Sequence, residues 1–507
     1  MGKWGYFLWG VWVWGQTILD AERWTQAQPM GTARAWAMGG AFSSLGGEPA
    51  NLTQNPAGLG LFMRGGLWLS PSLSIPATTT SYITSTPASQ TRLDINQFAL
   101  VLHGRGGKSI THWNFGFGYN QEASFTQIST AKGFNARNSF TQAVAEQAEN
   151  LSPAQLTFTP LLAYANAIVV SPRDTHGVID PISSNPYRYR GVFYRGGILQ
   201  EITTQEAGRI NTWSIAAGLS YKNWLFLGAS VLIRGLNYSK LYRLREIDSE
   251  NRYDGQNNTV PAEEVTFREK YTSRGSGLGL ALGVLIEPIE YLRVGMSFTT
   301  GSRFAITDEY NAEMEFILDD ARKNTTSYQE PFQYNYRFSY PYRMSGGLSF
   351  ILPGKGSISA EADFLDYRTT SFSASDYSYD ALNEDIQKLF SSALNLRAGT
   401  EWLLPAGFTV RAGYAYYAPV LNTEGRQYYP DPLRYRELVT LDMNRHFIAG
   451  GAGYMADRFF MDLAYVYAVS AQKYLPYRVV NPLYAPAPVA VVRARTSRVV
   501  ITMGFRF

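Results

Sequence analysis

Residues 497–507, SRVVITMGFRF, alternate in character. Val499, Ile501, Met503, Phe505 and Phe507 fall on one face of an extended chain, and Val500, Thr502, Gly504 and Arg506 on the other. The same period of two recurs upstream. Leu278, Leu280, Leu282, Val284 and Ile286 interleave with Gly277, Gly279, Ala281 and Gly283, and Leu292, Val294, Met296 and Phe298 with Arg293, Gly295 and Ser297. Phe408, Val410, Ala412, Tyr414 and Tyr416 oppose Thr409, Arg411 and Gly413; Ile358, Ala360, Ala362 and Phe364 oppose Ser359, Glu361 and Asp363. The pattern predicts many strands, each with one greasy face and one face of small residues and single charges.

A soluble sandwich and a membrane barrel both alternate, and the second face separates them. A sandwich turns that face to bulk water, where Lys and Thr are frequent and Gly is rare. Here it carries Gly, Ala, Ser and isolated charges, as a confined lumen would. An Arg facing lipid at the bilayer midplane costs roughly 2–4 kcal/mol, so Arg293, Arg397, Arg411 and Arg506 are expected to point inward. A one-residue slip would expose all four. The carboxylates of Glu361, Asp363, Glu401 and Asp462 are their expected partners in lumen ion pairs.

Connectors set the count. Tight ones at 104–109, 222, 287, 352, 404 and 456 alternate with long polar ones at about 77–91, 124–205, 241–266, 309–329, 373–391, 421–441 and 475–491. Tight turns on one rim and extended loops on the other is the outer-membrane layout. Seven long loops give about fourteen strands, with both chain ends on the periplasmic rim. The expected class is all-β: a transmembrane antiparallel β-barrel whose last strand pairs with its first, leaving no open edge in lipid. Phe507 then sits at the periplasmic interface, where outer-membrane barrels carry a C-terminal signal for the barrel assembly machinery.

Composition narrows the class further. With 507 residues, 45% hydrophobic, 17% charged and a formal charge of +4, this is an ordinary folded chain, and no nucleic-acid partner is expected. The absence of Cys excludes a disulfide framework and any thiolate metal site. Beyond the N-terminus no stretch approaches the ~20 apolar residues of a spanning helix. At the N-terminus, Lys3, the apolar run Tyr6–Trp14 and the small residues Ala21 and Ala27 have the layout of a secretory signal peptide, expected over residues 1–27 with cleavage after Ala21 or Ala27.

Residues 28–65 do not alternate and are rich in Gly, Ala and turn formers. Such irregular backbone must be buried in protein or line a cavity, so it is expected as a plug inside the barrel of residues 66–507. The run GTARAWAMGGAF at Gly31–Phe42, the LGG at Leu45–Gly47 and the NPAG at Asn55–Gly58, followed by a barrel ending in Phe, closely resemble the FadL-like outer-membrane transporters of fatty acids and aromatic hydrocarbons. The resemblance is detailed in the plug and covers the barrel in layout. It implies a hatch motif at Asn55, Pro56, Ala57 and Gly58, a monomer in outer-membrane lipid, and a hydrophobic small molecule captured at the outer loops and released through a gap in the wall beside a kinked strand. Physically, Pro56 stiffens the turn and Asn55 bonds backbone groups within the lumen.

Two loop segments suit capture or closure of the mouth: SFTQAVAEQAEN, where Ser139 can cap a short helix, and the apolar LLAYANAIVV at 161–170. For a wall gap, Gly116 and Gly118 of FGFGYN weaken the third strand. His103, His112, His176 and His446 are scattered, so neither metal nor haem is expected. No nucleophile motif stands out, and no enzyme or cofactor is expected. The rival use of the same architecture is a FadL-like barrel that binds protein within a secretion system.

Overall fold

The computed structural model describes residues 16–149, 151–152, 155–156, 158–166, 168–170, 189–194, 196–254, 261–328, 330–425, 444–477, 479 and 487–507. The run Tyr6–Trp14, His176 and most of the connector 421–441 lie outside these residues.

Fourteen antiparallel strands close on themselves. They are β1 (Gly66–Ser81), β2 (Arg92–Arg105), β3 (Ile110–Ser124 continued by Gln127–Asn135), β4 (Ile198–Tyr221), β5 (Leu225–Ile247), β6 (Glu264–Ile289) and β7 (Leu292–Thr299 continued by Arg303–Ile317). The circuit continues through β8 (Phe332–Ser339 and Arg343–Leu352), β9 (Gly356–Asp366 and Ser371–Ser373), β10 (Ser392–Leu403), β11 (Phe408–Tyr417), β12 (Arg445–Met455), β13 (Phe459–Tyr474) and β14 (Ala490–Arg506). Each pairs with its sequence neighbour, and β14 closes on β1 from Gly66↔Arg506 to Ser81↔Val491. The strand number expected from the connectors and the closure expected of a barrel without an open edge are both observed.

The greasy faces look outward. Leu278 is 65% exposed, Met296 67% and Ile448 58%, and they continue around the wall in a belt. A contiguous apolar belt of this extent on a closed barrel belongs in hydrocarbon, because no soluble monomer leaves so much apolar surface to water.

Strands run further than the polar character of the connectors suggested. Connector 241–266 is strand as far as Ile247 and again from Glu264. Connector 309–329 is strand to Ile317, with Lys323–Ser327 folding back on it. Above the belt the outward face turns largely polar: on β5 the unbroken greasy series ends at Ile233, and Asn237, Ser239, Arg243 and Arg245 follow with Leu241 the one large apolar residue among them. Once both faces are polar the period-two signal disappears, although the backbone ladder persists. Arg245–Glu264 at 2.5 Å and Arg268–Glu313 at 2.5 Å tie neighbouring strands there.

Helices α3 (Phe140–Ala148) and α4 (Phe158–Ala165) fold over the mouth on the long-loop side. Ser139 caps α3 by accepting from Gln142 N. Phe140, Val144 and Leu162 pack with Ile198, Leu244 and Phe267 of the protruding strands.

Candidate functional site

The interior is filled by the N-terminal segment: α1 (Ile18–Thr25), α2 (Ala33–Ala37) and two short 3-10 turns, Pro49–Leu52 and Pro56–Leu61. Helix α1 begins with a capping box in which Thr17 Oγ1 accepts from Asp20 N and Asp20 Oδ2 accepts from Thr17 N. Trp24 stacks on Tyr336 at 6.1 Å and meets Phe338 edge-on at 5.2 Å, while Arg23 bridges Asp20 at 2.7 Å and Glu206 at 3.3 Å. The segment expected to be cleaved thus contributes a helix to the lumen. Cleavage after Ala21 would cut that helix, and cleavage after Ala27 would remove it.

The small residues on the inner face match the shape of the plug. A Cβ at Gly228 would collide with the Pro56 backbone, one at Gly283 with the Asn55 side chain, and one at Gly218 would lie 2.6 Å from Leu59 Cβ. Three neighbouring strands, β4, β5 and β6, therefore surrender their side chains to admit the Asn55–Gly58 turn. Asn55, wholly buried, donates from Nδ2 to Ser43 O at 2.5 Å and Val284 O at 3.3 Å, and accepts from Ala57 N at 3.2 Å. Gly116 and Gly118 serve the same purpose for Leu52, whose side chain occupies the space their Cβ atoms would need. Pairing is continuous through both glycines on each side.

Charged lumen residues hold the plug to the wall. Arg397 contacts Glu361, lies 2.6 Å from Asp363 and donates to Gly40 O at 3.1 Å; Glu361 in turn accepts from Ser43 N at 2.9 Å. Glu401 receives Arg411 at 2.5 Å and Arg34 of α2 at 2.8 Å, and Arg411 reaches Asp462 at 2.6 Å. Arg293 donates to Leu45 O at 2.8 Å and pairs with Glu287 at 2.8 Å. Arg506, at the tight-turn rim, lies over the Phe460 ring at 5.2 Å. Of Arg293, Arg397, Arg411 and Arg506, all but Arg506 bond either a plug carbonyl or a carboxylate that also bonds the plug.

The wall is interrupted in its third strand. Pairing of β2 with β3 ends at Gln97↔Asn120, while β3 keeps β4 through bulges near Gln121 and Ala123 and a break at Phe125–Thr126. Side chains span the resulting gap. Asp94 of β2 accepts from Arg92 at 2.9 Å and from Arg209 of β4 at 3.3 Å, and Arg92 also donates to Thr126 Oγ1. Sequence gave no pointer to this clasp, because its members are single polar residues on three strands.

Behind the gap lies a cavity of about 190 Å³ between α1, α2, the β3 break and strands β12–β14, lined by Arg92, Trp36, Phe447, Val466, Arg445 and Arg498 among others. Arg498, 7% exposed, donates to Ser74 Oγ at 2.9 Å and lies 4.5 Å above the Trp36 ring, yet forms no ion pair among the described residues. Three donors of lining residues, Arg498 Nη1, Trp36 Nε1 and Gln28 Nε2, have no acceptor among the described residues. Parity signals Arg498: it shares the inward face of residues 497–507 with Val500 and Thr502.

Two of the histidines do converge. His103 and His112 ring centroids are 5.3 Å apart at the tight-turn end of β2 and β3, with His103 Nδ1 3.0 Å from Asn114 Oδ1. Among the described residues no group of three or more His, Asp or Glu could hold a metal ion.

A closed fourteen-stranded barrel filled by its own N-terminal segment is the architecture of the FadL-type proteins. The chain superposes on a FadL homologue from Pseudomonas aeruginosa with a TM-score of 0.53 at 12% identity, covering 95% of this chain and 99% of that one. It superposes on the toluene transporter TodX of P. putida with a TM-score of 0.52 at 13% identity and the same coverage. No protein-family model and no curated protein sequence matches it.

Proposed function

We propose that this chain is an outer-membrane channel for the uptake of hydrophobic compounds bearing an anionic or strongly accepting oxygen group. The observation that carries the reading is the cavity behind the wall gap, whose lining mixes Trp36, Phe447 and Val466 with Arg92, Arg445, Arg498, Glu22 and Glu206 and includes three donors without an acceptor among the described residues. Buried donors without acceptors are rare in folded proteins, and a carboxylate would satisfy several at once. Between the fatty-acid and aromatic-hydrocarbon branches of the resemblance, this chemistry favours acids over neutral arenes.

In this reading the solute enters beneath α3 and α4, reaches the cavity as the plug rearranges around the Asn55–Gly58 hatch, and leaves sideways when the Arg92–Asp94–Arg209 clasp opens. The partners are the solute, outer-membrane lipid and, during assembly, the barrel assembly machinery at Phe507. The mature protein begins ahead of Thr17, acts as a monomer and catalyses no reaction.

The test is equilibrium binding to purified protein of a radiolabelled fatty acid, an aromatic acid and toluene. Saturable binding of an acid that weakens at least tenfold in Arg498→Met, with toluene unaffected, is the expected result. Equal binding of acids by native and variant protein would refute the role of Arg498, and absence of any saturable ligand would refute transport.

A further inference from the structure

We infer that the outer wall carries a binding site for the phosphorylated headgroup of an outer-leaflet glycolipid, formed by Arg274, Arg303 and Arg337. The inference rests on the membrane location proposed above and concerns the opposite face of the wall from the solute path.

These arginines occupy adjacent strands β6, β7 and β8 and are exposed on the outward face. Register places them together: Leu278 pairs with Arg303, Ala305 with Arg337, and Arg274 with Thr307. Arg303 and Arg337 are therefore diagonal neighbours at roughly 7–8 Å, and Arg274 stands further out on β6. Leu278, Leu280 and Leu282 continue toward the membrane centre on β6. The three guanidiniums thus begin where the greasy belt ends on the long-loop side, the depth at which lipid headgroups lie.

The three have no protein partners among the described residues. Several outward cations nearby are neutralised, Arg245 by Glu264, Arg268 by Glu313 and Arg368 by Asp366, whereas the exposed Arg243 and Lys270 further out share the lack of an ion pair among the described residues and extend the basic surface. Arg274, Arg303 and Arg337 have no ion pair or hydrogen bond among the described residues. The carboxylate of Glu309, one rung beyond Thr307 on β7, is engaged by Thr272 and Gln333. Three unneutralised arginines beside an apolar wall match a lipid with several acyl chains and phosphate groups, the chains lying on the belt and the phosphates between the guanidiniums. A second basic trio, Lys473, Arg493 and Arg495, faces outward on β13 and β14 and stays intact in the test.

The experiment compares native protein with Arg274→Gln/Arg303→Gln/Arg337→Gln, both purified in detergent, by native mass spectrometry against a bisphosphorylated acylated glycolipid, its dephosphorylated form and phosphatidylglycerol. Each basic residue near a charged lipid contributes about fivefold, so the triple variant should bind the phosphorylated glycolipid roughly a hundredfold more weakly. Both proteins should bind the dephosphorylated form at the variant's level. Equal affinity in native and variant protein, or no discrimination by phosphate, would overturn the site. Competition by inorganic phosphate at lipid-equivalent concentration would do the same, marking a free-anion site. Unchanged cold electrophoretic mobility shows that the variant has folded. Native protein found outside the outer-membrane fraction would instead defeat the location, a separately visible failure.

Discussion

Arg397→Met tests whether lumen ion pairs fasten the plug. In the native chain Arg397 is shared between Glu361 and Asp363, with side chains 1–3% exposed on all three residues. Removing one partner of a buried ionic group leaves uncompensated charge and costs about 3–5 kcal/mol. At about 1.4 kcal/mol per decade, that is a hundredfold to several-thousandfold loss in the folding equilibrium. Urea unfolding in detergent micelles, followed by tryptophan fluorescence, should register it directly. The neutral companion Arg397→Met/Glu361→Gln/Asp363→Asn removes the stranded charges and should recover most of the wall's stability, since well-packed neutral replacements of buried ion pairs are often tolerated. It cannot restore the bond to Gly40 O or the charged acceptor for Ser43, so its plug should remain loosened and its conductance in planar bilayers raised above native. If the single variant unfolds at the native urea concentration, or the neutral companion is no more stable than the single variant, the argument fails.

Gly228→Val should displace the Asn55–Gly58 turn, because its Cβ would enter the Pro56 backbone; about 1–3 kcal/mol of destabilisation is expected from such overpacking, and native conductance with native stability would contradict the fit of turn to wall. Beyond the membrane belt, Glu246 accepts from Phe140 N at 2.6 Å at the start of α3, and burial pushes its pKa up to about 7. The folded state then holds a proton that the unfolded chain releases above about 4.5, so this group's contribution to stability is fully present below that pH and is lost as pH rises through 7. Hydrogen exchange of α3 should accelerate from pH 5 to 8 beyond the intrinsic chemistry, and Glu246→Gln should abolish that excess; an unchanged excess would rule Glu246 out. Intact-mass measurement of the exported protein should show a chain that retains Thr17–Thr25; a mature terminus at Glu22 or Gln28 would mean that α1 is absent from the working protein.

The wall was legible because each membrane-facing strand confronts two media, and the contrast is written residue by residue, as in Leu278 through Ile286. The ionic reaches above the belt were not legible, since Arg245 and Glu264 read as loop residues until their pairing across strands is seen. The Gly-rich inner face was visible as composition, but its meaning required coordinates: nothing in Gly228 names Pro56 as its counterpart. The Asp94 clasp and the donors around Arg498 depend on juxtaposition across several strands, and of these only the inward parity of Arg498 could have been inferred.

Closure of β14 on β1 also bears on the order of assembly. The stretch synthesised first rests against Gly399, Gly413 and Gly451, contributed by strands synthesised late. Once Gly66 has met Arg506 the circle is complete, and from then on the N-terminal stopper can enter only lengthwise through an end of the tube. The pockets at Gly399, Gly413 and Gly451 that receive it exist only after the late strands are paired, so seating of the stopper completes, and cannot precede, the shaping of its own socket.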